Sequence, residues 1–92
     1  MDRITLVITG RVQGVGFRWH VQRVAEALGL AGEVRNRGDG AVVVEAEGDR
    51  QALEQLLEAA REGPAAAIVM AVESHWGEGP ARYRDFHIGR SS

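Results

Sequence analysis

The stretch Gly10-Arg11-Val12-Gln13-Gly14-Val15-Gly16-Phe17-Arg18 decides the fold, because it carries the chain from a strand into a helix through a glycine-punctuated loop. Before it, Ile4 to Thr9 is rich in β-branched residues and alternates as a half-buried strand does. After it, apolar residues recur at helical spacing and predict a helix from about Phe17 to Leu28, closed by Gly29. Its buried face consists of Val21, Val24, Ala25 and Leu28.

The middle of the chain predicts a hairpin followed by a second helix. Strands over Ala31 to Asn36 and Ala41 to Glu47 flank the turn Arg37-Gly38-Asp39-Gly40. Asp49 suits the N-cap of the next helix, which ends at Gly63-Pro64. Its buried face consists of Leu53, Leu56, Leu57 and Ala60.

Two further strands complete the chain. Ile68 to Trp76 predicts a long strand whose inward face is ambiguous, because Val69 and Val72 break a simple alternation. Phe86 to Ile88 predicts a short last strand after a second turn. We expect Trp76 and Phe86 in the core, and we expect Glu45 and Glu47 to form a solvated strand face.

The element order is therefore β-α-β-β-α-β with a short C-terminal strand, in one domain over residues 1–92. Two amphipathic helices must bury their apolar faces, and one antiparallel sheet with both helices on one side does so economically. We predict an α+β, ferredoxin-like sandwich with a sheet of four to five strands. Its crossovers obey the right-handed rule.

Composition excludes several functions. The absence of cysteine excludes disulfides, zinc–thiolate sites and cysteine nucleophiles, and three histidines without ligand spacing predict no metal site. All 11 basic residues are arginine, so lysine Schiff bases and the P-loop lysine are excluded. A net charge of −2 disfavours nucleic acid as a partner. The chain has no membrane-length apolar run and no export signal, which predicts a cytoplasmic protein; we expect a monomer.

The loop itself suggests an anion site. Arg18 stands in the first turn of the helix, where acidic residues are usual, and no acid follows until Glu26. An oxyanion held between loop amides and the Arg18 guanidinium would remove this conflict, and Gly14 and Gly16 permit the backbone angles of an anion nest. The alternative is a structural turn with a solvent-exposed arginine. The dinucleotide and Walker glycine patterns both fail here.

The run from Gly10 to Arg18 resembles the signature of the acylphosphatase family. A second family signature is matched by Gly32-Glu33-Val34-Arg35-Asn36-Arg37-Gly38-Asp39-Gly40-Ala41-Val42, and the similarity extends over about Ile4 to Arg90. The sequence departs from the family pattern at Trp19-His20, at Glu33 and at Ala65-Ala66-Ala67.

The resemblance implies the same ferredoxin-like fold and an enzyme that hydrolyses acyl phosphates to a carboxylate and inorganic phosphate, without metal or cofactor. Carried onto this chain, the essential arginine is Arg18 and the water-positioning asparagine is Asn36. The phosphate-binding residues are then Gln13, Gly14, Val15, Gly16, Phe17 and Arg18. Inorganic phosphate is implied as product and inhibitor.

Other interpretations remain for some residues and for the whole chain. Asn36 could be a turn residue at the mouth of the hairpin. His20 could act as a general base, although its position beside Val21 favours peripheral packing, and His75 and His87 are expected at or near the surface. The chain could instead be a non-catalytic ferredoxin-like binding module, or a detached acylphosphatase-like domain from a carbamoyl-phosphate-handling protein.

Overall fold

A computed structural model describes residues 1–92 and contains every predicted element. No predicted boundary is displaced by more than two residues. The elements are β1 Asp2–Arg11, α1 Phe17–Ala27, β2 Ala31–Asn36, β3 Val42–Gly48, α2 Arg50–Glu62, β4 Ile68–Glu78 and β5 Phe86–Ile88. None of the helices has the length and apolarity needed to cross a membrane.

The strands form one sheet in the order β4-β1-β3-β2-β5. The pairs β1–β3, β1–β4 and β2–β3 are antiparallel, whereas β5 runs parallel to β2. The ferredoxin-like prediction is confirmed, and the fifth strand makes the sheet mixed rather than purely antiparallel. Because β1, β2 and β5 all run in one direction, their carboxyl ends meet at the same end of the sheet.

Both helices pack on one face of this sheet and enclose the core. Ile4, Leu6, Ile8, Val42 and Val44 line that face and are fully buried. Phe86 also belongs to the core, as predicted. Trp76 is only half-buried at the edge strand β4, where its ring packs against the core and carries the Arg50 guanidinium 3.8 Å from its centroid.

A β-bulge explains the ambiguous pattern of β4. Thr9 pairs with Ala71 and Gly10 pairs with Val69, so Met70 is an extra residue that shifts the alternation. Val69 and Val72 consequently both pack against the core. Gly10 is required at this point because it has φ +126°, and a Cβ there would lie 2.2 Å from the carbonyl oxygen of Ile68.

The opposite face of the sheet is crossed by residues 79–85, which connect the two outer strands β4 and β5. The crossing segment covers Glu47, which is only 2% exposed and accepts hydrogen bonds from the backbone of Arg82 and Tyr83. The Tyr83 hydroxyl donates to Glu45 at 2.7 Å. The expectation that Glu45 and Glu47 form a solvated face is therefore wrong, because the crossing segment is packed on them.

Candidate active site

The glycine loop lies at the end of the sheet where β1, β2 and β5 terminate. It follows Arg11 of β1 and leads into α1, while Asn36 is the last residue of β2 and Ile88 is the last of β5. The fold thus brings Arg18 and Asn36, the two residues that the family resemblance implies to be catalytic, to one end of the molecule. The buried carboxylate of Glu47 lies toward the other end of the sheet.

The loop has the backbone conformation that its glycines suggested. Gly14 and Gly16 have φ +74° and +81°, and no atom lies within 4 Å of a Cβ built on either residue. Glycine is therefore favoured by the backbone angle and not by lack of space. Gly16 occupies the N-cap of α1, where it offers no capping side chain, and the first turn contains no acid.

The amides of this loop are not used by the fold. None of the hydrogen bonds formed outside helices and strands is donated by a backbone N–H from Gln13 to Arg18. Unpaired N–H groups at a helix N-terminus carry a partial positive charge and attract anions. The loop and the start of α1 therefore present a set of donors to a ligand.

Arg18 adds a full positive charge to these donors. Its guanidinium forms neither a hydrogen bond nor an ion pair with any other side chain of the protein, although five arginine–carboxylate pairs occur elsewhere. Arg18 lines a cavity of about 190 Å³ together with Gly14, Gly16 and Phe17. The remaining lining residues are Val12, Trp19 and Ile88.

Gln13 and Val15, predicted with the phosphate-binding residues, do not line this cavity. The Gln13 side-chain amide donates to the carbonyl oxygens of Arg37 at 2.7 Å and Ala41 at 3.0 Å. Gln13 thereby fixes the loop to the β2–β3 turn, and only its backbone is left for a ligand. Val15 is half-buried and packs against the core.

Asn36 faces the helix side of the sheet, two residues beyond the buried Val34. Its side-chain oxygen Oδ1 is buried and has no hydrogen-bond partner in the protein. A buried acceptor without a partner is rare in folded proteins and is commonly satisfied by a water molecule. Asn36 is not among the residues that line the cavity beside Arg18, although both residues lie at the same end of the sheet.

The surrounding charges belong to the turn and not to the cavity. Arg37 forms a two-pronged pair with Asp39, at 3.0 and 2.8 Å. This hydrogen bonding from Arg37, assisted by the Ala41 N–H, lowers the pKa of Asp39 to about 2.

His20 packs edge-on against Phe17 with ring centroids 6.4 Å apart, in agreement with the peripheral packing expected for it. His75 and His87 are substantially exposed, also as expected.

Sequence reasoning missed Trp19 and Ile88 as lining residues. Trp19 was visible only as a departure from the family pattern, at the position after the arginine. Ile88 gave no signal, because the parallel pairing of β5 with β2 brings it to the cavity and a three-residue strand does not reveal its pairing partner.

Comparison with known proteins places this chain in a family. The family described as Acylphosphatase matches residues 4–88. An acylphosphatase of Salinibacter ruber is 47% identical over 88 residues, covering 96% of this chain and 93% of that protein. An acylphosphatase of Deinococcus radiodurans is 49% identical over 86 residues, covering 94% and 98%.

Solved structures agree with these relatives. The crystal structure of an acylphosphatase from Bacillus subtilis superimposes with a TM-score of 0.93 at 37% identity, covering 97% of this chain and 99% of that one. Full-length HypF, in a phosphate- and nucleotide-bound form, contains a similar region with a TM-score of 0.85 at 29% identity, but the match covers only 12% of that chain.

Two helices on one face of a five-stranded sheet define a small protein of the ferredoxin-like α+β class. Within that class, the extent and identity of the matches leave one assignment. The chain belongs to the acylphosphatase family.

Proposed function

We propose that this enzyme hydrolyses the carboxyl–phosphate bond of acyl phosphates, with Arg18 and the amides of residues 13–18 binding the phosphoryl group. The observation that carries the proposal is the unpaired Arg18 guanidinium beside a loop whose N–H groups are also unpaired. A planar guanidinium can contact two phosphoryl oxygens at once, and the amides can contact the others. The fold thus creates a positive potential at this site, and no acidic side chain of the protein neutralises it.

Asn36 is proposed to position the attacking water. Its buried Oδ1 needs a donor, and a water O–H can provide one while the side-chain N–H₂ remains available to the water oxygen. Phosphoryl transfer depends mainly on positioning the reactants in line and on stabilising charge on the equatorial oxygens. An oriented water and a cationic cradle satisfy both needs.

The chemical step needs few other groups. The water oxygen forms a bond to phosphorus, the bond between phosphorus and the carboxyl oxygen breaks, and its electron pair leaves on the carboxylate. A carboxylic acid has a pKa near 4, so the carboxylate leaves without a general acid. The water's proton passes to an oxygen of the substrate's own phosphate. Neither a metal ion nor a cofactor is included in this mechanism.

Release of inorganic phosphate from acetyl phosphate and benzoyl phosphate tests the proposal, with a parallel reaction containing a chelator. We expect hydrolysis of an acyl phosphate in both reactions, and competitive inhibition by inorganic phosphate. Absence of hydrolysis would refute the enzymatic function, and loss of activity with chelator would refute the metal-free mechanism. The same preparation on a sizing column tests whether the enzyme is a monomer, and cell fractionation tests the cytoplasmic location.

A further inference from the structure

The cavity beside Arg18 has an apolar wall that a phosphate ion does not require. Four of its seven lining residues are hydrophobic, and two of them are conspicuously open to solvent: Trp19 is 58% exposed and Ile88 is 40% exposed. Large apolar side chains that border a cavity with a single cation are typical of ligand-binding sites. This apolar wall is therefore suited to contact the part of a ligand that is not phosphate.

This wall is held in a defined position. The guanidinium of Arg23, one helical turn beyond Trp19, lies 4.6 Å from the centre of the indole ring and holds one of its faces. The Gln22 side chain donates to the carbonyl oxygen of Phe86 at 3.3 Å and so ties α1 to β5. Ile88 is fixed in turn by the pairing of β5 with β2. Binding at the wall would need little rearrangement.

We propose that Trp19 and Ile88 bind the acyl group of the substrate and make the enzyme selective for aromatic or branched apolar acyl phosphates over acetyl phosphate. This inference rests on the proposed function and specifies its substrate class. The acyl carbon is one oxygen away from the phosphorus, so a phosphoryl group on Arg18 places its acyl substituent against the side chains next to Arg18. Trp19 is the next residue in the chain, and Ile88 lines the same cavity.

The character of the wall determines what it selects. An aromatic acyl group gains contact with the indole ring and loses apolar surface to water, whereas an acetyl or carbamoyl group has little surface to bury. Arg18 is the only charged residue that lines the cavity. An acyl group carrying its own charge therefore finds no second partner there once Arg18 holds the phosphoryl group.

The test compares kcat/KM for benzoyl phosphate with kcat/KM for acetyl phosphate. We expect the native enzyme to prefer benzoyl phosphate by about tenfold or more, and Trp19→Ala and Ile88→Ala to lower that ratio several-fold. Trp19→Phe, which keeps an aromatic ring, should restore most of it. Ile68→Ala is the matched control, since Ile68 is 58% exposed at the opposite edge of the sheet, and it should leave the ratio unchanged.

Inhibition by benzylphosphonate and methylphosphonate, which are not hydrolysed, provides a second readout that does not depend on the leaving group. The ratio of their inhibition constants should follow the same pattern across the variants. The inference is overturned if both the kcat/KM ratio and the ratio of inhibition constants are near one in the native enzyme, or if neither alanine substitution changes them. Hydrolysis of acetyl phosphate would still support the proposed function in that case. If neither acyl phosphate is hydrolysed, the proposed function itself fails.

Discussion

Both oxygens of the Glu47 carboxylate accept hydrogen bonds from the backbone N–H of Arg82, at 3.0 and 2.9 Å. The N–H of Tyr83 donates to the same carboxylate at 3.2 Å, and Arg3 lies 3.7 Å from it. A nearly buried side chain of β3 thus serves as the anchor of the segment that crosses the sheet. Hydrogen bonds to a charged group are worth more than neutral ones, and their loss leaves buried donors unpaired.

Replacing this anchor should destabilise the fold without affecting the site. Glu47→Ala is expected to lower the free energy of unfolding by about 2–4 kcal/mol, because it removes three accepted hydrogen bonds and the partner of Arg3. Urea denaturation measures the change. Below the denaturation range, kcat/KM should stay close to native, since Arg18 lies at the other end of the sheet. Glu58→Ala, which breaks an exposed ion pair on α2, should cost about 0.5 kcal/mol or less.

Arg18→Ala and Asn36→Ala should impair hydrolysis in different ways. In the proposed mechanism Arg18 contacts the phosphoryl group before and during reaction, so its loss should raise KM and lower kcat. Asn36 is proposed to act on the water alone, so its loss should lower kcat by about 10²–10³-fold with a smaller change in KM. Steady-state kinetics separate the two effects, and circular dichroism checks that both variants fold. Full activity in Asn36→Ala would remove that residue from the mechanism.

Two glycine substitutions should separate folding from function. Gly10→Ala is expected to cost several kcal/mol of stability, since the new Cβ meets the Ile68 carbonyl oxygen at the bulge and the backbone is at positive φ. Gly14→Ala meets no atom and should cost only about 1–2 kcal/mol through its positive φ, while the loop amides shift and phosphate binding weakens. Thermal melts with and without phosphate measure both effects. If the two variants lost phosphate binding in proportion to their loss of stability, the distinction between the structural role of Gly10 and the binding role of Gly14 would be contradicted.

Stability should depend on pH through His87. Its ring nitrogens lie 3.2 Å from carboxylate oxygens of Asp85 and Glu33, and the hydrogen bonds with Asp85, then with Glu33, raise the pKa of His87 above its usual 6.5 against the opposing effect of burial. The protonated imidazole therefore stabilises the fold. That contribution is complete below about pH 6.5 and is lost as the pH rises through the raised folded-state pKa.

Urea denaturation across this pH range measures the effect. The stability difference between the native protein and His87→Gln should shrink as the pH rises, because the native protein loses the charged form of His87. A native-minus-His87→Gln difference that is constant with pH would exclude His87 as the source.

The sequence predicted the elements well because each has a long periodic pattern or a clear stop. The inward face of β4 could not be predicted, because one extra residue, Met70, shifts the alternation of inward- and outward-facing side chains. No local sequence pattern indicates that a bulge occurs there. The burial of Glu47 was also invisible, because it depends on a connection more than thirty residues later in the chain. Of the proposed site, Arg18 and the glycines could be inferred from local chemistry. Asn36 needed the family resemblance, and Ile88 needed the strand pairing.

The two hydrogen bonds from the Gln13 side chain to the β2–β3 turn brace the loop of residues 13–18, which is proposed to bind phosphate. Enzymes that close a lid over the substrate often have turnover limited by the opening of that lid. Here the donors are fixed between a strand, a helix and a turn, so no gating motion is needed to assemble them. We therefore expect kcat to be insensitive to solvent viscosity. Gln13→Ala removes the two hydrogen bonds that hold the loop, so its kcat should be lower and should depend more steeply on temperature.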